Sequence, residues 1–233
     1  MKTIALFFFL FSCSRLPAPV AVTTSSETES STFKIIHPRV CLNEAEQGNF
    51  VFILESLVKD GYRITPYKTR FTVGILKECE ILFVTLSEKT LSGRSVLTTK
   101  KTGLVHAWVL KGGSLVVTAE APANFLGKFG IRESGIKIKD SPVQQMNLSS
   151  PIILGRSEAE RIKVVPPFSG RTLQGPKNAD LFLRVVGLDH EATGLALKLG
   201  TGRVTAFADK SVFTSQHEIQ LALNVFHWLS HVL

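Results

Sequence analysis

From Phe33 onward, short apolar runs alternate with stretches in which apolar residues recur at helical spacing. Arg39-Val40-Cys41-Leu42 predicts a brief strand. In Asn49 to Asp60, Phe50, Ile53, Leu54, Leu57 and Val58 fall on one helical face, and Gly61 ends that helix. Tyr62 to Thr65 and Ile81 to Thr85 predict two more strands, separated by a short helix. Val96 to Leu110 predicts a helix closed by Gly112-Gly113, a C-cap signature. The β-branched run Ser114-Leu115-Val116-Val117-Thr118-Ala119 carries the strongest strand signal in the chain. This rhythm is that of βαβ units, which bury a parallel sheet between two helical layers.

Gly135 to Ala179 is less periodic and holds five prolines, so it reads as an irregular excursion over the sheet. Asp180 to Val186, Gly194 to Leu199 and Gly202 to Ala208 return to strand patterning. Gly200-Thr201-Gly202 predicts a hairpin turn, hence an antiparallel element late in the fold. In Glu218 to Val232, Ile219, Leu221, Ala222, Val225, Phe226 and Leu229 form a stripe that docks on the sheet. The fold class expected is α/β: a three-layer flavodoxin-like sandwich with a mostly parallel central sheet.

The N-terminus differs in kind. Lys2 precedes an apolar run from Ile4 to Phe11, too short to span a hydrocarbon core, which reads as a secretory signal. Leu10-Phe11-Ser12-Cys13 resembles the bacterial lipobox, with Cys13 as the residue to be lipidated. Arg15 to Thr32, rich in Ser, Thr, Ala, Pro and Glu, reads as a tether that cannot bury a core. The expected organisation is a signal over 1–12, a tether over 13–32 and a folded domain over 33–233. The expected location is the bacterial cell envelope, with the domain anchored by lipid and facing an extracytoplasmic compartment.

Composition narrows the function classes. The 233 residues are 44% hydrophobic and 20% charged, enough for one sizeable core. The net charge of +8 comes from dispersed lysines and arginines, so no clustered nucleic-acid surface is expected. Dispersed cations provide only weak, salt-sensitive attraction to anionic lipid or wall polymer. Cys13, Cys41 and Cys79 form no CxxC pair, so a structural zinc site lacks ligands, and no cofactor is expected.

Four segments in order carry a resemblance: Asn43-Glu44-Ala45-Glu46-Gln47-Gly48-Asn49, Lys59-Asp60-Gly61-Tyr62-Arg63-Ile64, Gly112-Gly113-Ser114-Leu115-Val116-Val117, and Gly202-Arg203-Val204-Thr205-Ala206-Phe207-Ala208-Asp209-Lys210-Ser211. Together they resemble the class I glutamine amidotransferase-like superfamily. They are most similar to its non-amidotransferase branches, which include bacterial secreted proteins and domains related to gliding-motility and intraflagellar transport proteins. That resemblance implies a cysteine nucleophile on a sharp turn after a central strand, with His and Glu after a late strand. Here Glu120 stands at the cysteine position, and Asp209 and Ser211 stand where His and Glu would be.

Ligands of open parallel sheets bind at the carboxyl ends of the strands. The candidate binding residues there are Asn43, Glu44, Asn49, Glu120, Asn124, Asp209, Ser211 and His217. Glu44, Glu120 and Asp209 are also the candidate catalytic carboxylates, suited to general acid and base work or to a hard cation. Each residue has a plainer reading. Glu44 complements a helix dipole, Asn49 caps the helix after it, Glu120 faces solvent in the turn of Ala121-Pro122-Ala123, and Asp209 with Ser211 shapes a loop. His217, His227 and His231 read as surface or half-buried helix residues, and Trp108 and Trp228 as core. Asn147-Leu148-Ser149 fits a glycosylation sequon that a bacterial lipoprotein does not normally use. An oxidising compartment permits a Cys41–Cys79 bridge, but strand pairs rarely meet disulfide geometry, and small buried hydrophobes are the favoured reading. The leading functional expectation is a lipid-anchored binding or scaffolding module for an envelope protein or glycan. The second is a carboxylate- or metal-dependent hydrolase acting on a carbohydrate-type substrate.

Overall fold

A computed structural model describes residues 38–68, 72–85, 97–138, 144–165 and 170–233. The signal segment, Cys13 and the tether lie outside the described residues. The first half alternates as the sequence predicts: β1 (Arg39–Asn43), α1 (Val51–Lys59), β2 (Arg63–Tyr67), α2 (Val73–Glu78), β3 (Ile81–Val84), α3 (Thr99–Leu110) and β4 (Ser114–Thr118). Then come α4 (Ala123–Lys128), β5 (Arg132–Ile138), β6 (Gln144–Met146), α5 (Pro151–Leu154), β7 (Gly170–Gln174), β8 (Asp180–Val185), β9 (Leu188–Leu199), β10 (Gly202–Phe207), α6 (Ser211–Thr214) and α7 (Ile219–Leu229).

One ten-stranded sheet runs in the order β2-β1-β3-β4-β10-β9-β7-β5, with β8 also on β9 and β6 on β8. Strands β2, β1, β3, β4 and β10 are parallel neighbours, and β9 turns back antiparallel to β10 through Gly200-Thr201. Every residue of β3 and β4 is buried, as expected of strands covered on both faces. β2 is the edge strand and carries Pro66, which lacks the N–H that a central strand needs.

Alternation along the strands sorts the core into two layers. Val40, Leu42, Ile81, Phe83 and Val116 face Ile53 and Leu57 of α1 and Leu221, Ala222 and Val225 of α7. Cys41, Leu82, Val84, Leu115 and Val117 face Leu76 of α2, Val105 and Val109 of α3, and Phe125 and Leu126 of α4. Phe83 is the aromatic centre of the first layer, with Phe50, Phe213 and Phe226 rings at 5.0, 4.8 and 5.9 Å. Trp108 and Trp228 pack in these layers, as their spacing predicts.

The hairpin into β10 tucks tightly under the end of α3. A Cβ on Gly202 would lie 2.1 Å from the Val109 carbonyl oxygen and 2.3 Å from that of Gly113, and backbone cannot yield as a side chain can. Gly202→Ala is expected to destabilise the fold by about 2 kcal/mol, the range of core overpacking, as a lower urea midpoint at unchanged slope.

Several expectations need correction. The stretch from 135 to 179 is not simply an irregular excursion, because its described parts include β6, α5, β7 and most of β5. These strands are short and irregularly paired, with a register shift in β5 against β7, so no clean alternation marks them. Glu44–Phe50 forms a 3-10 segment, so α1 begins at Val51, and Phe50 rather than Asn49 stands at its cap. Cys41 and Cys79 are joined in a disulfide with Cα atoms 5.7 Å apart. Cys79 is not a β3 residue. It ends α2 and reaches the sheet from the helical layer, which meets the geometry that a flat strand pair misses.

Candidate functional site

The centre of the carboxyl rim is set by two adjacent parallel strands. Phe207 of β10 registers with Thr118 of β4, and the Ala119 N–H donates to the Phe207 carbonyl at 2.8 Å. Glu120 and Asp209, each two residues further on, therefore leave the sheet side by side. The Ala121 N–H donates to the Thr118 carbonyl at 3.0 Å, closing a turn around Glu120, and Thr118 Oγ1 donates to the Thr85 carbonyl at 3.1 Å on β3's side. Glu120 Oε2 is shut off from solvent and accepts no hydrogen bond. Asp209 Oδ1 accepts the Ser211 N–H at 2.9 Å, the local turn that the sequence suggests.

The other candidates are spread out. Asn43 ends β1 and is buried, whereas Glu44, Asn49, Asn124 and His217 are exposed. β1 is separated from β4 by β3, so at about 4.8 Å per strand Glu44 starts roughly 10 Å from the Glu120 strand. Among the described residues no group of three or more His, Cys, Asp or Glu side chains is placed to hold a metal ion. The rim thus places Glu120 and Asp209 after the ends of adjacent strands, with the Ser211 N–H on Asp209.

Beyond the end of β10, β9 continues and β7 takes over its free side, pairing Leu173 with Ala192, while the Ala208 N–H donates to the Thr193 carbonyl at 2.9 Å. Within this extension Glu191 is buried, with Oε1 accepting from Gln174 Nε2 at 2.7 Å and Oε2 accepting from Thr172 Oγ1. Ser134 joins the same array through Thr172. Neutral donors hold this carboxyl inside the sheet, so it orders the extension next to Asp209. The sequence contains no sign of the array, because its members lie on three strands.

A second polar cluster lies at the opposite end of the sheet, beneath α7. His227 is fully buried, correcting the expectation of a surface or half-buried residue. Its Nε2 lies 2.6 Å from Asp60 Oδ2 and its Nδ1 3.9 Å from Glu160. Arg156 reaches Glu160 at 2.6 Å and Asp60 at 3.6 Å. The Arg156 hydrogen bond holds the Glu160 carboxyl below its ordinary range. Burial pushes the Tyr62 hydroxyl, 2.7 Å from Ser230 Oγ, well above its ordinary value. Asn224 Nδ2 donates to the Ile152 and Glu160 carbonyls, both at 2.9 Å, tying the segment after α5 to α7. Asp60 and His227 are 167 residues apart, and no periodicity links them. This cluster fastens α1, α7 and the α5 segment together.

No protein-family model matches the chain, and no curated protein matches it. Solved structures do. A cytoplasmic protein from Salmonella typhimurium LT2 is 16% identical with a TM-score of 0.56, over 77% of this chain and 86% of that one. A Thermoplasma acidophilum protein, provisionally described as part of a GMP synthase, is 11% identical with a TM-score of 0.51, over 83% of this chain and 94% of that one. A β-galactosidase from Rahnella sp. R3 is 8% identical with a TM-score of 0.56, over 82% of this chain but 30% of that one. At these identities the likeness establishes the fold: the chain is similar to the class I glutamine amidotransferase-like α/β sandwich, its parallel core followed by antiparallel strands.

Proposed function

We propose that the chain is a binding module of the bacterial envelope, anchored by acylated Cys13, whose strand-end rim takes a hydroxyl-rich glycan. The observation that carries this reading is Glu120 Oε2, a carboxylate oxygen screened from water and lacking a donor at the carboxyl end of a central strand. A buried acceptor without a donor is costly, so turning the Glu120 carboxyl out to a ligand hydroxyl at the rim relieves that cost. Asp209, on the neighbouring strand end, adds a second acceptor.

The disulfide supports both parts of the proposal. Cys41 and Cys79 are joined to each other, so neither offers a thiolate for the chemistry implied by the superfamily resemblance. Structural disulfides also belong to oxidising compartments, which agrees with a secreted, lipid-anchored domain. The test follows the thermal midpoint of the chain against a panel of cell-wall glycan fragments, because a ligand that binds only the folded state raises it. The expected result is a rise with at least one fragment that Glu120→Gln or Asp209→Asn reduces by about tenfold in affinity, a change of about 1.4 kcal/mol. A rise untouched by both substitutions, or no rise with any fragment, overturns the glycan reading. Metabolic labelling with a radioactive fatty acid, lost in Cys13→Ser, checks the anchor separately.

A further inference from the structure

A second buried carboxyl oxygen has no hydrogen-bond donor. Glu218, at the start of α7, is 8% exposed, and its Oε2 is closed to solvent and accepts no hydrogen bond. It precedes the first turn of α7, whose dipole offsets part of its charge, but its side chain makes no capping bond there. Glu218 forms part of the wall of a cleft of about 250 Å³ between α7 and the segment following α5. Lys163 and His217, both exposed, share that wall, and its apolar floor is formed by Ile162 and Leu221, both buried. Arg161 also lines the cleft, but Glu158 engages its guanidinium at 2.9 Å.

The charges define the ligand class. A simple anion entering this cleft would meet Glu218, and a simple cation would meet Lys163. A zwitterion satisfies both. We propose that the cleft binds a free α-amino acid with a short aliphatic side chain, its ammonium group donating to Glu218 and its carboxylate received by Lys163 and His217. The cleft volume suits a molecule of that size, and the floor of Ile162 and Leu221 suits a short aliphatic side chain. The lining of this cleft includes neither Glu120 nor Asp209, so the proposal does not rest on the glycan reading.

Valine, N-acetylvaline and valinamide serve as probes on the full chain, read by thermal midpoint and by titration calorimetry. Valine is expected to raise the midpoint, whereas blocking either the amine or the carboxyl weakens binding by tenfold or more. Glu218→Gln is expected to abolish the valine response and, without ligand, to raise the midpoint by about 2–4 °C by removing the charge from a carboxyl with one oxygen closed to solvent and without a donor. A merely structural glutamate would instead lower the midpoint. Lys163→Ala is expected to weaken valine about tenfold, and Glu120→Gln to leave it unchanged. Absence of a valine response in the unaltered chain, equal responses to valine and N-acetylvaline, or a valine response that survives Glu218→Gln each overturn the proposal.

Discussion

Reduction of the Cys41–Cys79 disulfide is expected to cost about 4 kcal/mol, measured as the loss of unfolding free energy in urea with and without dithiothreitol. The bridge closes a loop of sequence separation 38, and the chain-entropy estimate for such a loop gives that magnitude. The loss has a local component as well. The disulfide pins the end of α2, a helix of six residues that buries only Leu76, to the middle of β1. A helix that short does not hold its place by propensity. Amide exchange after reduction should therefore accelerate first in α2, ahead of α3, whose twelve residues bury Thr102, Val105 and Val109. Unchanged stability on reduction would show that the loop is held by packing alone.

His227→Ala is expected to cost about 3 kcal/mol, the second-largest single effect. The imidazole is fully buried and fills the space between Tyr62, its nearly parallel neighbour at 6.5 Å, and the carboxylates of Asp60 and Glu160. Its removal leaves a cavity and deprives the buried side of Asp60 of a hydrogen-bond partner. Urea denaturation of the variant measures the effect, and a loss under about 1 kcal/mol would mean that water enters and replaces the ring. The same cluster sets an acid limit. Because Arg156 holds the folded-state pKa of Glu160 below its unfolded value of 4.5, this carboxyl contributes its stabilisation above that value. The contribution is lost as pH falls through the lower, folded-state value. Glu160→Gln is therefore expected to flatten the acid limb of the stability profile below pH 4.5 and to leave the slope at neutral pH unchanged.

The consequences of the two clusters differ because their surroundings differ. Arg156 is ion-paired with Glu160 and Asp60, and His227 Nε2 lies within hydrogen-bond distance of Asp60, so the cluster is a fastening whose disruption is costly. Glu120 and Glu218 each keep an oxygen without a donor, an unfavourable arrangement unless something outside the chain supplies one.

Much of this was legible in the sequence. The βαβ rhythm, the apolar β3 and the Leu115-Val116-Val117 run of β4, the glycines after α3, the hairpin at Gly200 and the stripe on α7 are local patterns, set by steric rules and periodicity over a dozen residues. They define a parallel α/β sheet with a late antiparallel turn, and they place Glu120 and Asp209 at strand ends. Tertiary structure alone decided the rest. The Cys41–Cys79 bridge depended on whether Cys79 approached from a strand or from the end of a helix, a difference of two residues in an element boundary. The Glu191 array arose where β9 outruns β10, and the pairing of His227 with Asp60 where two helix ends 167 residues apart meet. These contacts are selected by the packing of whole layers, so the sequence around each partner carries no trace of the other.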